Sequence, residues 1–438
     1  VSVKLIYQLP HHRNVNEYEL SLSSTAAGVP VAVESIPGAQ VSGYLLAVRT
    51  GSRDEPEALM GISHLLEHVM FRGTKNRDNV RIMREMEAAG GQLNAFTSAE
   101  ATAYFGVTLD RTAEVAKDLV SDIAVNPLIR QEDIDLERMI VLQEISMWEN
   151  DPESYIHSLF ARTLWDGHGL GRREAGEVDT VNALGEEDLR SYFEESYRVP
   201  EMAVIACGNV DSDDVLGWAE ESFDPRAGPP GTRREPPRQH GSGLHVFPRE
   251  GDHSYVAMGF PSYHASHPDR PALRALNTLL GGGGSSRLFQ SVREEKGLVY
   301  SIFSTVDQHS DDGSLAAFFS STEDNVEETV GTVMAELRRL LREGVEENEL
   351  EKVKNMVRGG LVRSMESTTA RLYRLARNYL LSGEAVPFVK DLERIEAVTE
   401  DDVMRVAGDL LRPERLNVTV YGKDTPELRS LDVGAFDL

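Results

Sequence analysis

The sequence predicts an α+β protein of two homologous domains, each a mainly antiparallel sheet packed against helices. Three observations predict it. Short runs rich in Val, Ile, Tyr and Phe alternate with longer helix-like segments, two stretches of chain repeat at a nearly constant offset, and a proline-rich break falls near mid-chain.

The 438 residues exceed what one ordinary core accommodates. A hydrophobic fraction of 40% with 27% charged residues is that of a folded globular chain. No run approaches the roughly 18 apolar residues of a membrane helix. The opening stretch "VSVKLIYQLPHHRNVNEYEL" lacks the basic, apolar and small-residue succession of a signal peptide. The expectation is a prokaryotic cytoplasmic protein with no membrane association. Acidic residues number 72 against 45 basic, a net charge of −27. That balance repels phosphate backbones, so nucleic acid is excluded as a partner, and it favours encounters with basic peptides. The single cysteine, Cys207, allows neither an intrachain disulfide nor a cysteine-based zinc site, and reads as a buried strand residue.

In chain order, the first copy reads as strands at 29–35, 42–50, 102–109 and 202–207, each short and bounded by Gly, Pro or Asp. Its helices read as 60–70, 78–89, 111–125, 132–150 and 186–195, all grouped on one face of the sheet. "DPRAGPPGTRREPPRQHGSG" at 224–243 then loses all apolar period and reads as a linker. The second copy reads as strands at 254–260, 299–305, 314–321 and 416–421. Its helices read as 271–280, 285–295, 325–343, 346–366, 368–381 and 400–410. "VNALGEEDL" (181–189) resembles "IEAVTEDDV" (395–403), and "DIDLERMIV" (133–141) resembles "ENELEKVKN" (347–355), both about 214 residues apart. The predicted organisation is therefore a first domain at 1–225, a linker at 226–241 and a second domain at 242–438.

The chemistry sits in "GISHLLEHVMFRGT", residues 61–74. At about 100° per residue, His68 lies about 40° from His64 and Glu67 about 60° to the other side. All three share one helical face, with Leu65, Leu66, Val69 and Met70 forming an apolar back. Two imidazoles one turn apart with an adjacent carboxylate suit a zinc ion and a water to be deprotonated. The competing reading is a pair of satisfied core histidines, but unexplained polar groups on a buried helix are costly.

A catalytic zinc takes a third protein ligand. "EDIDLERMIVLQEISMWEND" at 132–151 offers Glu137, Glu144 and Glu149. Glu137 and Glu144 lie within about 20° of one face but about 10.5 Å apart along the axis, so one ion takes only one of them. Spacing alone does not choose. "GGQLNAFTSAEATAY" reads as a strand after a Gly-Gly turn. "GGGGSSRLFQSVREEKGLVYSI" lacks the Gly-Lys-Ser/Thr of a phosphate loop and reads as a flexible loop before a helix.

"GSRDE", "GISHLLEHVMFRGT" and "ERMIVLQE" together resemble the inverted-motif zinc peptidases, the family of pitrilysin, insulin-degrading enzyme and mitochondrial processing peptidase. The likeness runs from about residue 18 to about 425 and is strongest toward the short-chain prokaryotic members that resemble the processing peptidase. It implies a zinc-dependent endopeptidase, with one zinc per chain held by His64, His68 and Glu144 and with Glu67 as general base. It implies a supporting role for Glu137, substrate binding by strand addition at Asn94, Ala95 and Phe96, and oxyanion stabilisation by Arg293 and Tyr300. Arg72 stands where a lysine is common. Two domains make half of a clamshell, so the resemblance also implies a dimer, either a homodimer or a heterodimer with a related chain. Some relatives are catalytically silent core subunits of the respiratory cytochrome complex. A non-catalytic subunit, or a peptide-binding partner of a separate active peptidase, is therefore the alternative.

Overall fold

The computed structural model describes residues 3–7, 18–223 and 234–429. Of the linker predicted at 226–241, residues 226–233 lie outside the described residues. Among the described residues, seven strands form one sheet and five another. The first contains β1 (Val3–Tyr7), β2 (Tyr18–Ser24), β3 (Pro30–Ser35), β4 (Val41–Val48), β5 (Gln92–Thr97), β6 (Thr102–Leu109) and β7 (Met202–Gly208), in the spatial order β1-β2-β3-β7-β4-β6-β5. The second contains β8 (Gly243–Pro248), β9 (His253–Ser262), β10 (Ile302–Gln308), β11 (Gly313–Thr322) and β12 (Asn417–Gly422), in the order β10-β11-β9-β12-β8.

The repeat is explicit in this topology. Read from its β8 edge, the second sheet runs β8-β12-β9-β11-β10. This matches β3-β7-β4-β6-β5 of the first. In both, the late-arriving strand pairs in parallel on one side, with β3 or β8, and antiparallel on the other, with β4 or β9. The remaining ladders are antiparallel. β1 and β2 are additions to the first copy.

Helices cover both faces of each sheet rather than one. Every residue of β7 is buried, as are seven consecutive residues of β4. A strand with one wet face alternates instead. On one face of the first sheet lie α1 (Ile62–Met70), α2 (Asn79–Ala88) and α3 (Ala113–Val125), around a core that includes Tyr44, Leu46, Leu65, Leu66, Val69, Ile82 and Tyr104. Against β4 and β7 also packs the helix Thr368–Ser382, from far along the chain.

The two compact units therefore differ from two consecutive halves. One comprises 1–145, 172–234 and 362–390, and the other 146–171, 235–361 and 391–438. α4 (Gln131–Asn150) starts in the first unit. α5 (Pro152–Leu164) packs on β12 and β9 of the second. α5 is absent from the sequence reading because Pro152 reads as a stop, whereas it occupies the first helical turn, where a missing N–H costs nothing. Strand 299–305 is displaced to 302–308. Tyr300 stands in the loop before β10, 85% exposed. The helix predicted at 285–295 becomes a π-type helix over Phe289–Glu295.

Candidate metal centre

α1 presents its sequence as two faces. Ile62, Leu65, Leu66, Val69 and Met70 are buried, and His64, Glu67 and His68 are half-buried on the opposite side. α4 lays its own buried residues, Ile134, Glu137, Val141 and Ile145, into the same unit and brings Glu144 to the histidines.

Glu144 Oε2 lies 3.6 Å from His64 Nε2 and 3.6 Å from His68 Nε2. Those separations are too long for hydrogen bonds. Two ligand atoms about 2.1 Å from a tetrahedral zinc sit about 3.4 Å apart. His64, His68 and Glu144 thus fit a divalent cation, with one donor atom from each inside a 4.8 Å sphere of mutual distances. They are the one such trio among the described residues. Glu149 is not part of it. Glu137, on α4's inner face, instead accepts from His68 Nδ1 at 2.9 Å and from the Arg72 guanidinium. A histidine whose Nδ1–H is held this way turns its Nε2 lone pair outward. The structure thereby separates Glu144 from Glu137, which spacing alone left equivalent.

The electrostatics suit cation capture. Burial, reinforced by His68, pushes His64 down to about 4, so its ring is neutral at neutral pH. Burial lowers His68 as well, but the Glu137 hydrogen bond and the charges of Glu144, Glu137 and Glu67 outweigh it and raise the ring overall. Burial acts to raise Glu137, but its bonds to His68 and Arg72 prevail and hold it below the usual carboxylate range. Burial raises Glu67, against the hydrogen bond from Thr97. Glu67 is not among the clustered donors, and its Oε2 accepts from Thr97 Oγ1 at 2.5 Å.

Thr97, which the sequence reading did not single out, contacts the Glu67 carboxylate. It ends β5, where Leu93 and Ala95 pack on the core and Thr97 meets Glu67. The period-2 alternation of the strand carries that signal. Among the described residues, β5 is an edge of its sheet, paired to β6 alone. Along it, the predicted substrate residues differ. Asn94 is exposed, Ala95 packs toward the core, and Phe96 turns to the other face and meets Tyr373 edge-on at 5.6 Å.

Arg293 and Tyr300 belong to the second unit. The Arg293 guanidinium carbon lies 4.5 Å from the Phe289 ring centre and 5.5 Å from that of Tyr300. The same unit holds a cleft of about 350 Å³, lined mainly by Trp148, His157, Tyr255, Phe303, Phe318 and Phe319. In the topologically equivalent position to α1, this unit has the helix Arg270–Gly281, which contains no histidine. No helix among the described residues is long and apolar enough to cross a membrane.

The model of the insulinase family, peptidase family M16, matches residues 30–177, and the model of the peptidase M16 inactive domain matches 183–357. An uncharacterized zinc protease of Streptomyces coelicolor is 35% identical over 404 residues, covering 90% of this chain and 88% of the relative. One of Bacillus subtilis is 31% identical over 384 residues, covering 87% and 93%. Among solved structures, a protease from Helicobacter pylori superposes with a TM-score of 0.85 at 23% identity, covering 93% of this chain and all of the other (100%). A peptidase M16 inactive domain from Pseudomonas fluorescens gives 0.86 at 17% identity, covering 93% and 98%. Both show the same fold.

Proposed function

The chain belongs to the insulinase family of zinc peptidases, peptidase family M16, and from that premise we propose that it is a zinc-dependent endopeptidase acting on unfolded peptides. The observation that carries this reading is Glu67. It shares one helical face with two imidazole donors, is not itself a clustered donor, and is held by Thr97. A purely structural metal site has no use for such a base.

His64, His68 and Glu144 would hold one zinc per chain, which when bound supplies Lewis-acid polarisation of a peptide carbonyl and acidifies water. Glu67 takes a proton from the attacking water and passes it to the leaving amine nitrogen as the C–O bond forms and the C–N bond breaks. Thr97 fixes the carboxylate's orientation by donating to Oε2. Glu137 fixes the tautomer of His68. The edge of β5 at Asn94–Phe96, where the Ala95 N–H donates to the Asn94 side chain at 2.9 Å, suits an extended peptide that displaces this bond and adds as a further strand. The aromatic cleft of the second unit suits apolar side chains of such a peptide. Arg293 and Tyr300 offer N–H and O–H donors to a developing oxyanion. In this reading two chains pair as a homodimer, the zinc unit of one facing Arg293 and Tyr300 of the other. A heterodimer with a related chain is the variant of the same scheme.

The decisive experiment is metal analysis of the purified chain followed by cleavage of a fluorogenic peptide with and without chelator. Zinc with chelator-sensitive cleavage is expected, and Glu67→Gln is expected to keep the zinc and lose turnover. A second reading, a non-catalytic subunit or peptide-binding partner, draws on the inactive-domain match over 183–357. Zinc without cleavage would favour it. Mixing Arg293→Ala with Glu67→Gln tests pairing, since a shared site restores activity and separate sites do not.

A further inference from the structure

We propose that Glu55 is the positioning residue of His64, as Glu137 is of His68. The two imidazoles are supported differently. His68 Nδ1 has the Glu137 carboxylate at 2.9 Å. His64 Nδ1 is buried and has no hydrogen-bonding protein group among the described residues. With no hydrogen bond at Nδ1, its direction rests on packing, including the His68 ring at 4.7 Å, and on the backbone that carries it.

That backbone is the first turn of α1, and its geometry is imposed from outside the helix. The position before the helix is Gly61, at φ 92°, which has no side chain to cap the free N–H groups. A Cβ there would meet the Ala175 carbonyl oxygen at 2.7 Å, so a capping Ser or Asp is sterically barred. The cap comes instead from Glu55, 3% exposed, whose Oε2 accepts from the Gly61 N–H and Oε1 from the Ser63 N–H, each at 2.8 Å. Ser63 immediately precedes His64, and its hydroxyl is tied to Tyr192 at 2.7 Å.

Glu55 is itself anchored on the hairpin that carries Thr97. Ser52 N–H donates to Ser98 O at 3.2 Å, Arg53 N–H donates to Ala99 O at 2.9 Å, and Arg53 pairs with buried Glu100 at 2.6 Å. The segment Gly51–Glu55 therefore spans from the end of β5 to the start of α1, joining the element that holds Glu67 to the element that bears His64. Two N–H donors and the positive end of the helix dipole stabilise the anion at Glu55 against the burial that opposes it. Its amide cannot replace it, because one oxygen accepts while the NH₂ faces a second donor.

The inference rests on the zinc-peptidase reading, and the test separates the two. Zinc affinity of the full chain is measured by chelator competition, alongside the melting temperature of the metal-free protein and kcat and KM on a fluorogenic peptide. Glu55→Gln should weaken zinc binding by about ten- to a hundredfold and lower kcat at unchanged KM. Glu55→Asp, charged but one methylene short, should fall between. Asp122 is the control, a buried carboxylate of the same unit bonded to Thr74, Asn76, Arg77 and Asn126. Asp122→Asn should lower the melting temperature with zinc affinity within about twofold of wild type, well inside the effect of a residue that orients a ligand. Glu55→Gln with wild-type zinc affinity would overturn the positioning role while leaving the zinc reading standing. So would equal zinc loss in Asp122→Asn. Wild-type protein that takes up no zinc would overturn the zinc reading itself.

Discussion

The Thr97 hydroxyl donates to the Glu67 carboxylate at 2.5 Å, linking the last residue of the edge strand to the carboxylate that α1 carries between His64 and His68. A hydroxyl bonded to a charged acceptor contributes about 1.5–3 kcal/mol. If Glu67 is the base, losing that bond lets its carboxylate swing and lowers kcat by roughly tenfold or more. Thr97→Val, which keeps the shape and removes the donor, is expected to do this without loss of zinc, and Thr97→Ser to restore most of the rate. Steady-state kinetics with metal content measured in parallel checks both. Equal rates for Val and Thr would remove this bond from catalysis.

Glu144 and Glu137 occupy one face of α4, yet the structure gives them different tasks, one facing both imidazole Nε2 atoms and the other behind His68. Glu144→Gln should therefore yield protein that loses its metal on dialysis, because a donor is gone. Glu137→Gln should retain metal with affinity reduced by about ten- to a hundredfold, the usual cost of disturbing a group that orients a ligand. Metal content against free zinc concentration distinguishes the two curves. Indistinguishable curves would contradict the assignment.

Much of this was legible because the motif is local. His64, Glu67 and His68 share one turn and a half of helix, so the 100° step alone brings them together. Spacing left Glu144 as one of three candidates, since a helix repeat puts it and Glu137 on the same face; the family resemblance singled it out, and packing sets its carboxylate beside both imidazoles. Thr97 and Glu55 make contacts 30 and 8 residues distant in sequence; the alternation of β5 gives the face of Thr97, but no periodicity names the partner of either. The same holds for the exchange of α5 and Thr368–Ser382 between the two copies. Their amphipathic patterns show that each covers something, but not which sheet. β2 was missed although Tyr18, Leu20 and Ser21 are buried, because four of its seven residues are polar and it ends in two consecutive serines.

The exchanged helix Thr368–Ser382 is locked by charge. Glu34 is fully buried on β3 and accepts from Arg371 at 2.6 Å and Arg374 at 3.1 Å. Arg371 also donates to the Met365 carbonyl and Arg374 to that of Val386. Removing the shared carboxylate strands two buried guanidinium groups, a change that costs about 3–5 kcal/mol. Glu34→Ala should accordingly shift the chemical denaturation midpoint strongly downward. Triple replacement of Glu34, Arg371 and Arg374 by apolar residues of similar volume should recover much of the loss. A Glu34→Ala midpoint near wild type would show that the cluster is not the lock.

Glu55 sets a pH dependence whose sign is opposite to that of a surface ion pair. Burial pushes its carboxyl from 4.5 up to about 7, and the Ser63 and Gly61 N–H bonds and the Arg172 charge only partly resist. Between about 4.5 and 7 the folded chain then holds a proton at Glu55 that the unfolded chain has released. A folded state that binds more protons loses stability as pH rises, so the contribution is fully present below this window, falls across it and is lost above it. Metal-free wild type should therefore lose stability relative to Glu55→Gln as pH is raised from about 4.5 to about 7, with no further divergence above. Denaturant titrations of both proteins at several pH values give the difference directly. A difference that stays flat, or grows in favour of wild type, would mean that the buried carboxyl ionises as easily in the folded chain as outside it. If the slope is as expected, the anion beneath the first turn of α1 is held at a cost in stability, which is what a group retained for the geometry of His64 rather than for folding would show.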